Sequence, residues 1–260
     1  MDTQLKSALI EQLLYDAPVN RPLIARILQN AQNQPVQPPK SRETLARLID
    51  HTLLRSEATA QQVRAVCEEA REHGFAAVCI APCYVEQAAT WLKDAEVAVC
   101  TVVGFPTGAN YPSLKALEAG LAVRDGATEI DMVINIGWLK SGRYRLVERD
   151  VRSVVDASNC LGGKNVKVKA ILETALLTDE EIIIGSLISE YAGADYIKTS
   201  TGFAARGATP SDIALIRCTV EAETGIKASG GIKTFEQADI LVRHGATRIG
   251  TSRSTTLIRA

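Results

Sequence analysis

The sequence predicts an α/β fold, a closed (β/α)8 TIM barrel with an N-terminal helical extension, and three observations predict it. Eight short runs rich in β-branched and apolar residues recur along the chain. Longer stretches with helical punctuation separate them, and 260 residues suit a single barrel of roughly 250 residues. Strands alternating with helices pair in parallel through right-handed crossovers, giving either a closed barrel or an open doubly wound sheet. No GxGxxG or GxxxxGK(S/T) run follows any strand, so the open sheet loses its usual nucleotide-binding support.

The first segment, Leu5 to Leu28, carries apolar residues at helical spacing (Leu9, Leu13; Ile24, Ile27, Leu28) and is broken near Pro18 and Pro22, which predicts one or two helices. Residues 29–40, QNAQNQPVQPPK, have almost nothing large and apolar to bury and read as a linker. The extension therefore covers 1–40 and the barrel domain 41–260, starting near Ser41. The strand runs are RLIDHTLL (47–54), AAVCIA (76–81), VAVCTVVG (97–104), EIDMVI (129–134), VKVKAILE (166–173), ADYIKT (194–199), GIKASG (225–230) and TRIGTS (247–252). Between them, Thr59/Gln62, Thr178/Glu181 and Thr234/Gln237 have capping-box spacing, and Thr209-Pro210 reads as an N-cap followed by proline. Gly74, Gly126, Gly193 and Gly245 stand where a helix must end before a strand.

Composition narrows the function classes. With 46% hydrophobic and 23% charged residues the chain has material for a substantial core. A net charge of -1 gives no global positive field for nucleic acid or anionic membrane. No basic start followed by an apolar run marks residues 1–30 as a secretory signal, and no stretch of about 18 apolar residues could cross a membrane. The six cysteines form no CxxC pair and have no histidine at zinc-ligand spacing. A reduced, cytoplasmic protein without a metal site is expected.

In a barrel the chemistry collects at the C-terminal ends of the strands. Read in order, the polar groups expected there are Asp50, Cys79, the Gly104–Gly108 turn, Asp131, Lys169, Lys198, Lys227 and the Gly250–Ser252 turn. Lysine among strand apolar residues, as in YIKT and GIKA, is a poor choice for a core layer without a purpose. One purpose is structural: ion pairs of Lys169, Lys198 and Lys227 with Asp131, Asp50 and Glu173. The other is chemical, because Lys198 and Lys227 end consecutive strands about 4.8 Å apart. Two ammonium groups about 6 Å apart repel by roughly 3 kcal/mol, or about two pKa units, which would leave one of them a neutral nucleophile. Its attack on a carbonyl gives an imine that withdraws electrons and lets a neighbouring C–C bond break or form without a metal. Asp131, inside EIDMVI, is then the candidate to move protons with Lys227 and a water, against the alternative that it only neutralises the lysines. The glycine-rich ends STG (200–202), SGG (229–231) and GTS (250–252) offer backbone N–H groups to a phosphate, with Thr201, Gly202, Ser229, Gly230, Gly231, Gly250 and Ser252 as its candidate surroundings. Cys79 and His51 read more simply as a packed thiol and a structural histidine.

At these residues, from about Leu48 to Ser252, the chain resembles the deoxyribose-phosphate aldolase family. The resemblance rests on DHTLL (50–54), EIDMVINIG (129–137), KTSTGF (198–203) and KASGGIK (227–233). It implies a metal-independent, cofactor-free class I aldolase cleaving 2-deoxy-D-ribose 5-phosphate to acetaldehyde and D-glyceraldehyde 3-phosphate, a step in deoxyribonucleotide catabolism. It also implies Lys198 as the Schiff-base lysine, Lys227 as the group lowering its pKa and Asp131 as the proton shuttle. Asp50 and Lys169 would belong to the polar network, Cys79 would line the pocket, and Gly202, Gly230, Gly231, Gly250 and Ser252 would surround the phosphate. Ala175, Arg253 and Ser254 depart from the family's usual residues. Small-molecule phosphosugar and aldehyde substrates are the expected partners, in a homo-oligomer (dimer or tetramer). Another phosphosugar barrel enzyme, with Asp131 doing acid–base work, and a silent phosphate-binding protein are the competing readings.

Overall fold

Each of the eight β-branched runs contains a strand. A computed structural model describes residues 3–15, 20–38, 40–162 and 165–259 of the chain. In it α1 (Thr3–Leu14), α2 (Arg21–Gln32) and the short α3 (Arg42–Ala46) precede β1 (Ile49–Leu53). There follow α4 (Ala60–His73), β2 (Ala77–Ile80), α5 (Val85–Leu92), β3 (Ala98–Val103), α6 (Pro112–Arg124) and β4 (Glu129–Val133). Next come α7 (Ile136–Lys140), α8 (Tyr144–Gly162), β5 (Lys167–Ile171), α9 (Asp179–Tyr191) and β6 (Tyr196–Lys198). The chain closes with α10 (Pro210–Thr219), β7 (Gly225–Ser229), α11 (Phe235–Arg243), β8 (Arg248–Thr251) and α12 (Ser254–Arg259). Every strand pairs in parallel with its sequence neighbours, and β1 pairs with β8, so the sheet is a closed barrel.

The expected helix punctuation is in place. Thr59, Thr178 and Thr234 each form a reciprocal capping box with the glutamine or glutamate three residues on, and Thr209 caps α10 ahead of Pro210. Such caps contribute about 1 kcal/mol each by satisfying amides that the helix cannot. Gly74 ends α4 at φ 63°, a left-handed conformation that lets the chain turn back into β2.

Strand side chains alternate between two environments. Residues such as Val78, Ile130, Met132, Val168, Ile197, Ile226 and Ile249 face outward into one continuous apolar layer beneath the helices. Those between them face into the barrel. On the β2–β3 side this interior is small and apolar, formed by Ala77, Cys79, Cys100 and Val102. On the β1 and β4–β8 side it carries charge: Asp50, Glu129, Asp131, Lys169, Lys198 and Lys227 are all buried. A barrel interior is ordinarily packed with branched aliphatics, so half of this one has been given over to polar chemistry.

The helical segment divides into α1 and α2 around the prolines, as expected. Pro22 occupies the first turn of α2, where a missing N–H costs nothing, behind an Asn20 cap. One expectation about the first forty residues needs correction. The helix then continues through Gln32, four residues into the stretch read as linker, because Ile24 and Ile27 anchor its buried face. Pro18 lies outside the described residues. α1 packs on α8 and α9 and α2 along α10, and their Leu9, Leu13, Ile24 and Ile27 join the same apolar layer as the barrel. Buried Lys6 pairs with Glu190 and Glu221, pinning α1 to the ends of α9 and α10. The polar stretch beyond α2 is laid on α11, with Gln37 N–H donating to Arg243 O at 2.9 Å and Lys40 N–H to Asp239 at 2.8 Å.

Candidate active site

The interior charges form one network centred on Asp131. Its Oδ1 accepts from Lys169 Nζ at 2.8 Å and from the Cys100 thiol at 3.1 Å. Its Oδ2 accepts from Lys198 Nζ at 2.7 Å and from Lys227 Nζ at 2.6 Å. Lys169 also meets Glu129 at 2.5 Å and Asp50 at 3.7 Å, and Lys227 pairs a second time with Asp50. Arg248, at the start of β8, closes the ring by bonding Asp50 at 2.7 Å and both oxygens of Glu129 at 3.1 Å. Four cations thus face three carboxylates.

The strand alternation explains how the sequence brings these groups together. Glu129 and Asp131 are two apart on β4, and Arg248 lies two before Gly250 on β8, so each pair shares a strand face. Lys198 and Lys227 are direct register partners on β6 and β7, while Asp131 is level with Lys169 on β5. The expectation that all of these stand at the strand ends is wrong for most. Asp50, Asp131, Lys169 and Lys227 are fully buried within the barrel, and Lys198 alone of the lysines ends its strand and reaches the cavity. Strand tilt in a closed barrel places residues of one interior layer at different distances from their strand ends, which a strand-by-strand reading does not capture.

The electrostatics also differ from expectation. Lys198 and Lys227 are neighbours: at 2.7 and 2.6 Å from one oxygen, their nitrogens can be no further apart than those distances laid end to end, about 5.3 Å. That oxygen lies in contact with both, however, so their repulsion is offset. Burial favours a neutral Lys227, but Asp131 and Asp50 outweigh it and raise its pKa. Lys169 is likewise raised despite burial, by Asp131, Glu129 and Asp50. Burial opposes ionisation of Asp131 too, yet the ammonium groups of Lys169, Lys198 and Lys227 hold its carboxyl well below the usual range. In this arrangement Lys227 is therefore a cation and Asp131 a carboxylate. Ion pairing joins all three lysines in one network. Glu173 is outside it: the carboxylate expected to pair with a lysine instead accepts from the Thr201 amide and hydroxyl.

Two groups of potential metal ligands, Cys79 with Cys100 and Asp131, and Asp50 with Cys100 and Glu129, have their ligand atoms within 4.8 Å of one another. Lys169 Nζ is bonded to Asp131 and Glu129 and lies 3.2 Å from Cys100 Sγ. A positive charge is thus already bound to donors of both groups, and a metal would have to displace it.

A cavity of about 620 Å³ opens over the C-terminal ends of β6, β7, β8 and β1. Eight of the anticipated residues line it: Lys198, Thr201, Gly202, Ser229, Gly230, Gly231, Gly250 and Ser252. The other five, Asp131, Lys227, Asp50, Cys79 and Lys169, lie behind Lys198 in the interior, with Cys79 Sγ 3.9 Å from Asp131. Gly202, Gly230 and Gly231 all have positive φ, and the amides of Gly202, Gly230, Gly231 and Ser252 donate to no other described residue. Free amides on left-handed turns form a nest for an anion. Exposed Arg55, Lys233 and Arg253 stand around the same cavity and add a positive rim. His51, read as structural, lies on the outer face of β1, bonded to Glu69 at 2.7 Å and edge-on to Phe75. Burial lowers its pKa against the pull of Glu69.

Sequence reasoning missed Glu129, Cys100 and Arg248 as members of the network, and Arg55 and Lys233 at the rim. The first and third had a legible signal, a charged residue two positions from another inward-facing strand residue. Arg55 and Lys233 had none, since loop conformation alone carries them to the cavity.

Residues 44–251 match the family model for the DeoC/LacD family aldolases. A deoxyribose-phosphate aldolase of Geobacillus sp. (strain WCH70) is 51% identical over 214 residues, covering 82% of this chain and 94% of the relative. One from Caldanaerobacter subterraneus subsp. tengcongensis is 52% identical over 214 residues, covering 82% and 92%. Among solved structures, the deoxyribose phosphate aldolase of Aeropyrum pernix, described as a tetramer, superimposes with a TM-score of 0.78 at 33% identity, covering 93% of this chain and 97% of that one.

Proposed function

Because the chain belongs to the DeoC/LacD aldolase family, we propose that it is a class I aldolase that reversibly cleaves 2-deoxy-D-ribose 5-phosphate through an imine on Lys198. The observation that carries this reading is the position of Lys198, the one lysine that belongs both to the buried charge network and to the wall of the cavity. It also has the fewest partners, a single carboxylate oxygen that it shares with Lys227. With Lys198 as a free amine, three cations (Lys169, Lys227, Arg248) balance three carboxylates (Asp50, Glu129, Asp131).

In this mechanism the amine adds to the C1 aldehyde of the open-chain sugar, and loss of water gives the iminium. Removal of the proton from the C3 hydroxyl expels the C3–C5 fragment as D-glyceraldehyde 3-phosphate. The electron pair of the C2–C3 bond moves toward the iminium nitrogen, leaving an enamine. Protonation at C2 and hydrolysis then release acetaldehyde. Asp131 and Lys227 are the groups proposed to handle these protons through a water, since one carboxylate oxygen contacts both lysines. The positive charge of Lys227 favours arrival of electron density at the nitrogen beside it. The phosphate is assigned to the free amides of Gly202, Gly230, Gly231 and Ser252 under the basic rim. Asp50 and Lys169 hold the network in register, and Cys79 fills the wall behind it.

Borohydride reduction in the presence of acetaldehyde is expected to add a two-carbon mass to the peptide carrying Lys198. Labelling that persists in Lys198→Ala protein assigns the imine elsewhere and refutes the reading. We also propose a cytoplasmic homo-oligomer, in keeping with six unpaired cysteines and the tetrameric relative, and read residues 1–40 as an extension outside the catalytic barrel. Among the described residues no helix is long and apolar enough to cross a membrane.

A further inference from the structure

Glu173 follows β5 and is, among the described residues, the sole non-glycine with positive φ, at 59°. An L-residue keeps that conformation only when its surroundings demand it. The backbone on either side is tied to the exit of β6: Leu172 N–H donates to Lys198 O and Thr174 N–H to Thr199 O, both at 2.9 Å. Between these ties the carboxylate is buried, with 4% of the residue exposed. One oxygen accepts from the Thr201 amide at 3.2 Å and from the Thr201 hydroxyl, while the other has no partner. No cation pairs with Glu173 among the described residues, so neutralising a charge is not its purpose.

Thr201 is consumed by this contact. Its amide and its hydroxyl proton go to Glu173, and its hydroxyl oxygen accepts from Phe203 N–H at 3.1 Å. The turn so fixed is the one in which Gly202 takes φ 91°. Gly202 in turn backs the β7 loop: a Cβ on Gly230 would stand 3.6 Å from Gly202 Cα and 2.8 Å from Gly207 Cα. The Thr201 turn thereby sets the spacing of the two loops whose amides face no other protein group.

We propose that Glu173 is a positioning residue for the phosphate side of the cavity. It accepts both donors of Thr201 and so holds the amides of Gly202, Gly230 and Gly231 in one anion-binding arrangement. The inference rests on the site being one for a phosphorylated sugar. It assigns Thr201 to loop construction and leaves direct ligation to its glycine neighbours.

The test uses the full chain carrying Glu173→Gly, Glu173→Gln or Thr201→Val. Inorganic phosphate binding is measured by calorimetry, with KM, kcat, acetaldehyde trapping and melting temperature measured alongside. Losing a charge-assisted hydrogen bond corresponds to about a tenfold or greater effect, so Glu173→Gly is expected to weaken phosphate and raise KM by about that factor. Its kcat should stay within about threefold, with trapping unchanged and a melting temperature lowered by no more than a few degrees, because relief of this φ offsets part of the lost hydrogen bonding. Glu173→Gln keeps an acceptor for Thr201 and should retain phosphate affinity within about threefold. Thr201→Val reads the same contact without touching the strained position and should weaken phosphate in the same direction. Wild-type phosphate affinity in Glu173→Gly or Thr201→Val overturns the proposal, as does a Gln variant as impaired as the Gly variant. Calorimetry needs no turnover, so a wild-type protein that binds phosphate but forms no imine overturns the assigned reaction while leaving the role of Glu173 standing.

Discussion

Replacing Asp131 with Asn removes the one group in contact with Lys169, Lys198 and Lys227 together. Four cations then face two carboxylates, and Lys198 loses its only partner among the described residues. With nitrogens no more than about 5.3 Å apart, Lys198 and Lys227 repel by about 3 kcal/mol at an effective dielectric near 20. Removing one partner from a buried network typically costs about 3–5 kcal/mol. For a chain of this size that lowers the melting temperature by about 6–15 °C. Without the carboxylate oxygen that touches both ammonium groups, this repulsion is no longer offset. Acetaldehyde trapping at Lys198 should therefore persist in Asp131→Asn protein and extend to lower pH. Turnover should nevertheless fall by at least about 100-fold, because the proton transfers lose their carboxylate. The assay is intact-mass detection of the borohydride adduct across pH, set beside kcat and a melting curve. Full turnover, or a folded variant that traps nothing at any pH, would refute the reasoning.

Two further outcomes follow from the same geometry. Asp50 and Asp131 are held low when folded, so their stabilisation is present above the unfolded carboxyl value of about 3.9 and is lost as pH falls through their folded values. Lys169 and Lys227 are raised, so theirs is present below about 10.4 and is lost as pH rises through the folded values. Urea unfolding should accordingly show a plateau between these limits. The stability gap between wild type and Asp131→Asn should narrow below about pH 4; a constant gap down to the acid transition contradicts the linkage. Gly250→Ala places a Cβ 3.0 Å from Ser229 Cβ and 3.1 Å from Lys227 Cε. The lysine must shift, so kcat should drop roughly tenfold with little change in melting temperature, and unchanged kinetics would show that the ammonium position tolerates the displacement.

The fold was legible because its signals are local. β-branched runs, capping threonines and terminal glycines each act within a few residues, and all eight runs carry a strand. The lysine cluster was legible as a chemical anomaly, since YIKT and GIKA make no sense as plain core. Its electrostatic character was not, because the sign of the effect on Lys227 depends on Asp131 and Asp50, 96 and 177 positions away in sequence and in contact only after barrel closure. For the same reason Arg248 passed as an ordinary charge at the start of a strand. Glu173 looked like one more acid near lysines, and only its backbone angle and its bonds to Thr201 reveal a different task. The length of α2 was misjudged because Gln- and Asn-rich sequence near a proline suggested a linker, whereas Ile24 and Ile27 had already committed the helix to the barrel surface.

Closure of the ring between β1 and β8 has a consequence for biosynthesis. Asp50 finds Arg248 across 198 positions, so its carboxylate has no such guanidinium to meet until β8 has been synthesised. A nascent chain missing β7 and β8 cannot bury Asp50 with Lys227 and Arg248, and sealing it in the interior unpaired would be costly. Assembly of the charged interior is thereby tied to the arrival of β7 and β8, and a polypeptide lacking them is left open rather than trapped as a closed barrel.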